Sequence, residues 1–144
     1  MDMVGVIGAG QMGSGIAQTV AQRGIEVLLC DVDLALAEKA KAKIEKVLAR
    51  LVEKEKISAA DASATLDRIV PVADYAPMAG AGIIIEAATE REDIKRAIFA
   101  KAGEVLGADA ILASNTSSIP ITRMAAGTAD PARFIGLHFF NPVP

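Results

Sequence analysis

The chain has 144 residues, 52% hydrophobic, 23% charged and only 3% aromatic. That suffices for one domain with a sizeable core and excludes a disordered chain. The formal net charge of −3 lacks the basic excess of a nucleic-acid binder, and no run approaches the roughly 18 uninterrupted apolar residues of a membrane span.

The first residues enter an apolar run without the basic segment of a signal peptide. A single cysteine, Cys30, rules out an intrachain disulfide and points to a cytoplasmic setting, with the thiol a buried strand residue in preference to a reactive one.

In chain order, Val4 to Ile7 reads as a strand, Gln11 to Arg23 as a helix stopped by Gly24, and Glu26 to Cys30 as a second strand. Asp33 is placed to cap a long helix from Leu34 into the fifties. Its expected apolar face is Ala37, Ala40, Ile44, Val47, Leu48 and Leu51. A short helix opened by Ser58 and closed near Leu66 follows, although Ala59 to Ala64 is irregular in pattern and also reads as a helix-to-helix connection. Arg68 to Val72, Gly82 to Glu86, Ala110 to Ala113 and Arg133 to His138 read as further strands. Glu92 to Leu106 and Ile119 to Ala126 read as helices, Pro120 being tolerated in a first turn. Strands alternating with helices predict a mainly parallel sheet covered on both faces, with a helical hairpin inserted after the second strand. The sequence stops at Pro144 with no closing helix, which reads as residues 1–144 being one domain cut from a longer protein.

Gly8-Ala9-Gly10-Gln11-Met12-Gly13 fits G-x-G-x-x-G, follows a strand and opens a helix, and Asp31 ends the next strand. This is the context of a Rossmann-type dinucleotide site. Gly8 permits the tight turn, Gly10 lets the backbone approach a pyrophosphate, and Gly13 lets helix and strand pack closely. The helix N-terminus, through Gln11 and Met12, offers its N–H groups to the anion. Asp31 is placed to accept the adenosine ribose hydroxyls, and its charge favours NAD over NADP. FAD-binding proteins share this fingerprint, and a glycine loop without a ligand is the plain alternative.

Three more segments fall at or beyond predicted strand ends, where ligands bind in open α/β sheets. They are Ile85-Glu86-Ala87-Ala88-Thr89-Glu90, Ser114-Asn115-Thr116-Ser117-Ser118 and Gly136-Leu137-His138-Phe139-Phe140-Asn141-Pro142. Together with the glycine turn they resemble the 3-hydroxyacyl-CoA dehydrogenase family, including its bacterial 3-hydroxybutyryl-CoA members, from Val4 to Pro144. The resemblance implies an NAD-binding domain followed by a helical domain that is absent here. It implies oxidation of (S)-3-hydroxyacyl-CoA to 3-oxoacyl-CoA and the reverse, with an acyl-CoA substrate, no metal and a homodimer formed through the second domain. It also implies His138 as the catalytic base and Ser117 as the group that hydrogen-bonds the substrate's C3 oxygen beside the nicotinamide. Asn115 and Asn141 flank the nicotinamide end, and Glu90 and Lys95 contact the ribose region. An orienting glutamate about a dozen residues beyond His138 in the family is missing, so this chain is expected to bind NAD and to turn over poorly.

Each assignment has a plainer reading. His138 and Ser117 can be a hydrogen-bonded structural residue and a helix cap, and Glu90 an acid near a helix start. Lys95 can be a solvated helix residue. Lys39, Lys43, Lys46, Arg50 and Lys54 recur at helical spacing, a stripe able to attract the phosphates of coenzyme A. Lys54 resembles a CoA-contacting lysine of the family best. Glu38, Glu45 and Glu53 interleave with the stripe, which also suits an ordinary solvated face. Short-chain and dicarboxylic substrates such as 3-hydroxyadipyl-CoA both fit. Two other functions compete: a non-catalytic NAD-binding module, and a β-hydroxyacid dehydrogenase, which lacks the GLHFFNP segment.

Overall fold

The computed structural model describes residues 2–89, 91–115 and 131–137. Six strands, β1 (Met3–Ile7), β2 (Glu26–Cys30), β3 (Ile69–Val72), β4 (Ile83–Glu86), β5 (Ile111–Asn115) and β6 (Phe134–Leu137), make one sheet in the order β3-β2-β1-β4-β5-β6. Every neighbouring pair is parallel. The order reverses between β1 and β4, and such a switch point opens a crevice at the carboxyl ends of the strands. Among the described residues, four α-helices lie between them: α1 (Gln11–Gln22), α2 (Leu34–Glu53), α3 (Ala59–Asp67) and α4 (Glu92–Val105).

Alternate residues of each strand feed two cores, because successive side chains point to opposite faces. Val4 and Val6 of β1, Val27 and Leu29 of β2, and Ile83 and Ile85 of β4 pack on one face with Ile16, Ala17 and Ala21 of α1 and Ala40, Ile44 and Leu48 of α2. Ile7, Leu28, Cys30, Ile84 and Leu112 pack on the other with Phe99 and Ala102 of α4. Phe99 and Phe134 meet edge to face there, with 4.9 Å between centroids. Small alanines on α1 and α2 let these helices approach an aliphatic sheet closely.

The expected caps are present. Asp33 Oδ1 accepts from Ala35 N at 2.9 Å, Ser58 Oγ accepts from Asp61 N at 3.0 Å, and Gly24 follows α1 with φ +87°. The hairpin after β2 is α2 with α3, where Ala62 and Leu66 pack against the core that Leu48 helps to form. Ala59 to Ala64 is therefore not an irregular connection: it is the body of α3. An alanine-rich run carries no apolar periodicity, yet alanine has the best helix propensity, and Ser58 supplies the start. Val47 is 37% exposed, off the buried stripe of Ala37, Ala40, Ile44 and Leu48. β5 runs on to Asn115, which pairs with Leu137. Two short 3-10 helices, Ala76–Gly80 and Pro131–Arg133, had no clear sequence signal. The expected helix Ile119 to Ala126 lies outside the described residues. Among the described residues, no helix is long and apolar enough to cross a membrane.

Candidate functional site

The glycine turn joins β1 to α1 at the switch point. Gly8 has φ +110°, a conformation that L side chains rarely adopt, and its N–H donates to Cys30 O at 2.8 Å. A Cβ on Gly8 would lie 2.7 Å from Ala88 Cα, so the turn is pressed against the chain leaving β4. A Cβ on Gly13 would lie 1.6 Å from Gly8 O, which is the close helix–strand contact expected there. Gly10 differs: among the described residues, a Cβ there would meet nothing within 4 Å. No packing among the described residues requires glycine at that position; the cleared space fits a ligand drawn close to the backbone. Gly10 is the N-cap of α1, with no side-chain cap bond and no acid in the first turn, so the dipole at this end is open to an anion. Ala9, Gln11 and Met12 complete the turn, and the residues present fit a dinucleotide pyrophosphate.

Asp31 follows β2 beside this turn. Its Oδ2 accepts from Ala9 N at 2.8 Å and its Oδ1 from Val32 N at 2.7 Å. Each oxygen keeps lone-pair capacity for a ribose hydroxyl. The sequence pattern gave Asp31 a ligand-binding role only. The structure adds a second one, bracing the glycine turn from 22 positions away.

On the other side of the switch point a buried ionic centre lies beneath the ends of β4 and β5. Glu86, Lys95 and Ser114 are each 0% exposed. Glu86 Oε1 accepts from Lys95 Nζ and from Ser114 Oγ (2.9 Å), and Glu86 Oε2 accepts from Ala88 N at 2.7 Å and Thr89 N at 3.4 Å. Lys95 Nζ is also 3.5 Å from Ser114 Oγ. Lys95 is thus not a solvated helix residue: it sits on the inner face of α4, because an acid inside the sheet draws it there. The ribose contact expected of Lys95 would require its ammonium to gain surface, of which it has none here. No motif gives Glu86 a role; its one signal in the sequence is an acid closing an otherwise aliphatic strand, Ile83-Ile84-Ile85-Glu86.

Asn115 ends β5 at the same edge of the sheet. Ser117, His138, Glu90 and Asn141 lie outside the described residues. Lys39, Lys43, Lys46, Arg50 and Lys54 are all exposed, as are Glu38, Glu45 and Glu53. A cavity of about 390 Å³ lined by Arg23, Gly24, Asp61 and Arg68 opens at the amino ends of the strands, away from the crevice.

Cys30 is buried and free, its Sγ 3.6 Å from Asp31 O. Burial, reinforced by the charges of Asp31 and Asp74, pushes its thiol up to about 11, and burial pushes the Tyr75 hydroxyl up to about 12. Both are acids held neutral by the fold, with folded values above the ordinary 9.0 and 10.0. The stability they contribute is complete below the ordinary values and is lost as pH rises through the folded ones. Urea midpoints are therefore expected to fall steadily between pH 9 and pH 12, and Cys30→Ala to remove the lower part of that fall. A midpoint flat across this range contradicts the assignment.

Residues 3–144 match the sequence profile described as 3-hydroxyacyl-CoA dehydrogenase, NAD binding domain. The chain is 48% identical over 141 residues to 3-hydroxybutyryl-CoA dehydrogenase of Bradyrhizobium diazoefficiens, covering 98% of this chain and 48% of that protein. It is 45% identical over 144 residues to 3-hydroxyadipyl-CoA dehydrogenase of Escherichia coli K12, covering 98% of this chain and 30% of that protein. The crystal structure of (S)-3-hydroxybutyryl-CoA dehydrogenase from Ralstonia eutropha aligns with TM-score 0.97 at 45% identity, over 100% of this chain and 51% of that one. The chain spans about half the length of most of these relatives.

Proposed function

This chain belongs to the 3-hydroxyacyl-CoA dehydrogenase family as its NAD-binding domain, and we propose that it serves, within a two-domain enzyme, the reversible oxidation of (S)-3-hydroxyacyl-CoA to 3-oxoacyl-CoA. The observation that carries this reading is the glycine turn: Gly10 clears space at an uncapped helix N-terminus while Asp31 stands beside it with acceptor capacity. NAD supplies the two-electron acceptor when bound. Gly8 to Gly13 hold its pyrophosphate, and Asp31 holds the adenosine ribose and disfavours a 2′-phosphate.

His138 takes the proton of the 3-hydroxyl as C3 gives up its hydride, and returns it in the reverse direction. An imidazole is suited to both because its ordinary pKa lies near ~6.5. Ser117 hydrogen-bonds the C3 oxygen. Asn115 and Asn141 bound the nicotinamide end, Glu90 belongs to the ribose side, and Lys54 with the basic stripe of α2 meets the phosphates of coenzyme A. The substrate is a short-chain or dicarboxylic acyl-CoA, in keeping with relatives named for 3-hydroxybutyryl-CoA and 3-hydroxyadipyl-CoA. A cytoplasmic setting and a homodimer formed through a further helical domain complete the reading.

The test fuses this chain to the C-terminal half of the Bradyrhizobium relative and follows acetoacetyl-CoA-dependent oxidation of NADH. Turnover is expected, and His138→Gln is expected to lower kcat by about 10²–10⁴-fold, the range for a general base. A folded fusion that binds NADH but shows no turnover with acyl-CoA substrates favours a non-catalytic NAD-binding module.

A further inference from the structure

Glu86 closes β4 with a carboxylate that has no accessible surface, and among the described residues four donors converge on it. Folding alone does not call for such a centre. Apolar residues of similar volume hold a core as well as a buried ion pair or better, and the neighbouring strand residues Ile84, Ile85, Leu112 and Ala113 are aliphatic and buried.

The location of the centre gives it meaning. Asp31 takes the β2 side of the switch point, so the second half of a dinucleotide crossing the crevice lies over the ends of β4 and β5. Glu86 Oε2 binds the backbone N–H of Ala88 and Thr89, and Ala88 Cα is the atom that a Cβ on Gly8 would strike at 2.7 Å. Through Oε1 the same carboxylate binds Ser114, the residue before Asn115. One side chain therefore ties the wall of the glycine turn to the end of β5, and Lys95 neutralises it.

We propose that Glu86 is a positioning residue for the cofactor: its carboxylate, with Lys95 as counterion, fixes the backbone of Ala87–Thr89 against the glycine turn and shapes the surface under the nicotinamide half of NAD. The inference rests on the NAD-binding reading above. Charge-assisted hydrogen bonds to backbone N–H groups are roughly twice as strong as neutral ones, so a carboxamide at position 86 keeps the shape and loosens the hold.

The experiment titrates this chain, its E86Q variant and the E86Q/K95M double variant with NADH and, separately, with AMP, and records Tm for each. AMP probes the Asp31 side alone. E86Q is expected to weaken NADH about tenfold and AMP less than twofold. The double variant leaves no unpaired buried charge, so it should regain the Tm lost in E86Q without regaining NADH affinity. NADH affinity within twofold of the unsubstituted chain in E86Q, recovery of affinity together with Tm in the double variant, or equal loss of NADH and AMP overturns the proposal. If E86Q does not fold, the double variant decides by the same NADH and AMP criteria. Failure of the unsubstituted chain to bind NADH overturns the NAD-binding reading, and this inference with it.

Discussion

Gly13→Ala is expected to lower stability by about 3 kcal/mol or more and to abolish NADH binding. Overpacking a core commonly costs about 1–3 kcal/mol, where side chains can turn aside. Here the added methyl would stand 1.6 Å from Gly8 O, and the obstacle is backbone. Gly8 has no room to retreat, because its N–H is tied to Cys30 O and its far side already abuts Ala87 and Ala88. Relief must come from moving α1 off the sheet, which drags the anion-binding end of the helix away from the turn. Gly10→Ala is the companion measurement. With nothing within 4 Å of the new methyl, stability should change by no more than about 1 kcal/mol, the scale of a cap substitution, while NADH binding is lost. Urea midpoints and NADH fluorescence titrations separate the two effects; equal stability losses in both variants would contradict this account.

Lys95→Met carries the second large effect. It leaves the Glu86 carboxylate with no charged partner among the described residues, at a site of 0% exposure. Removing one member of a buried pair typically costs about 3–5 kcal/mol, because the stranded charge keeps its desolvation penalty. For a chain of this length that corresponds to a Tm fall of roughly 10–15 °C. The surface pairs give the contrast. Arg91–Asp93 and Arg96–Glu92 lie at 3.1 and 2.9 Å with solvent around them, and substituting either arginine should change Tm by no more than a few degrees. A Lys95→Met variant melting with the unsubstituted chain would show that the centre is not held together as described.

The α/β layering, the strand count and the glycine turn were readable from the sequence because they rest on local signals. Val4 to Ile7 and Glu26 to Cys30 are short aliphatic runs, Asp33 and Ser58 are caps, and Gly8, Gly10 and Gly13 stand at a diagnostic spacing. Ala59 to Ala64 was ambiguous because helix propensity without an apolar stripe leaves no periodic trace. The buried role of Lys95 was invisible for a different reason. Lys95 and Glu86 are nine positions apart on a helix and a strand, and only the packing of α4 on β4 turns a polar-looking helix residue inward. Asp31 was half read: its strand-end position announced a ligand, whereas its bond to Ala9 N depends on the turn folding back over β2.

That bond limits how nucleotide preference can change. Replacing Asp31 with a small neutral residue, the obvious step toward accepting a phosphorylated ribose, also deprives Ala9 N of its acceptor and slackens the loop that grips the pyrophosphate. A lineage or an engineer shifting this domain toward NADP needs a compensating acceptor for Ala9 alongside any new cation near Val32. The two changes are epistatic, and a single substitution is expected to give a poorer NAD site before it gives an NADP site.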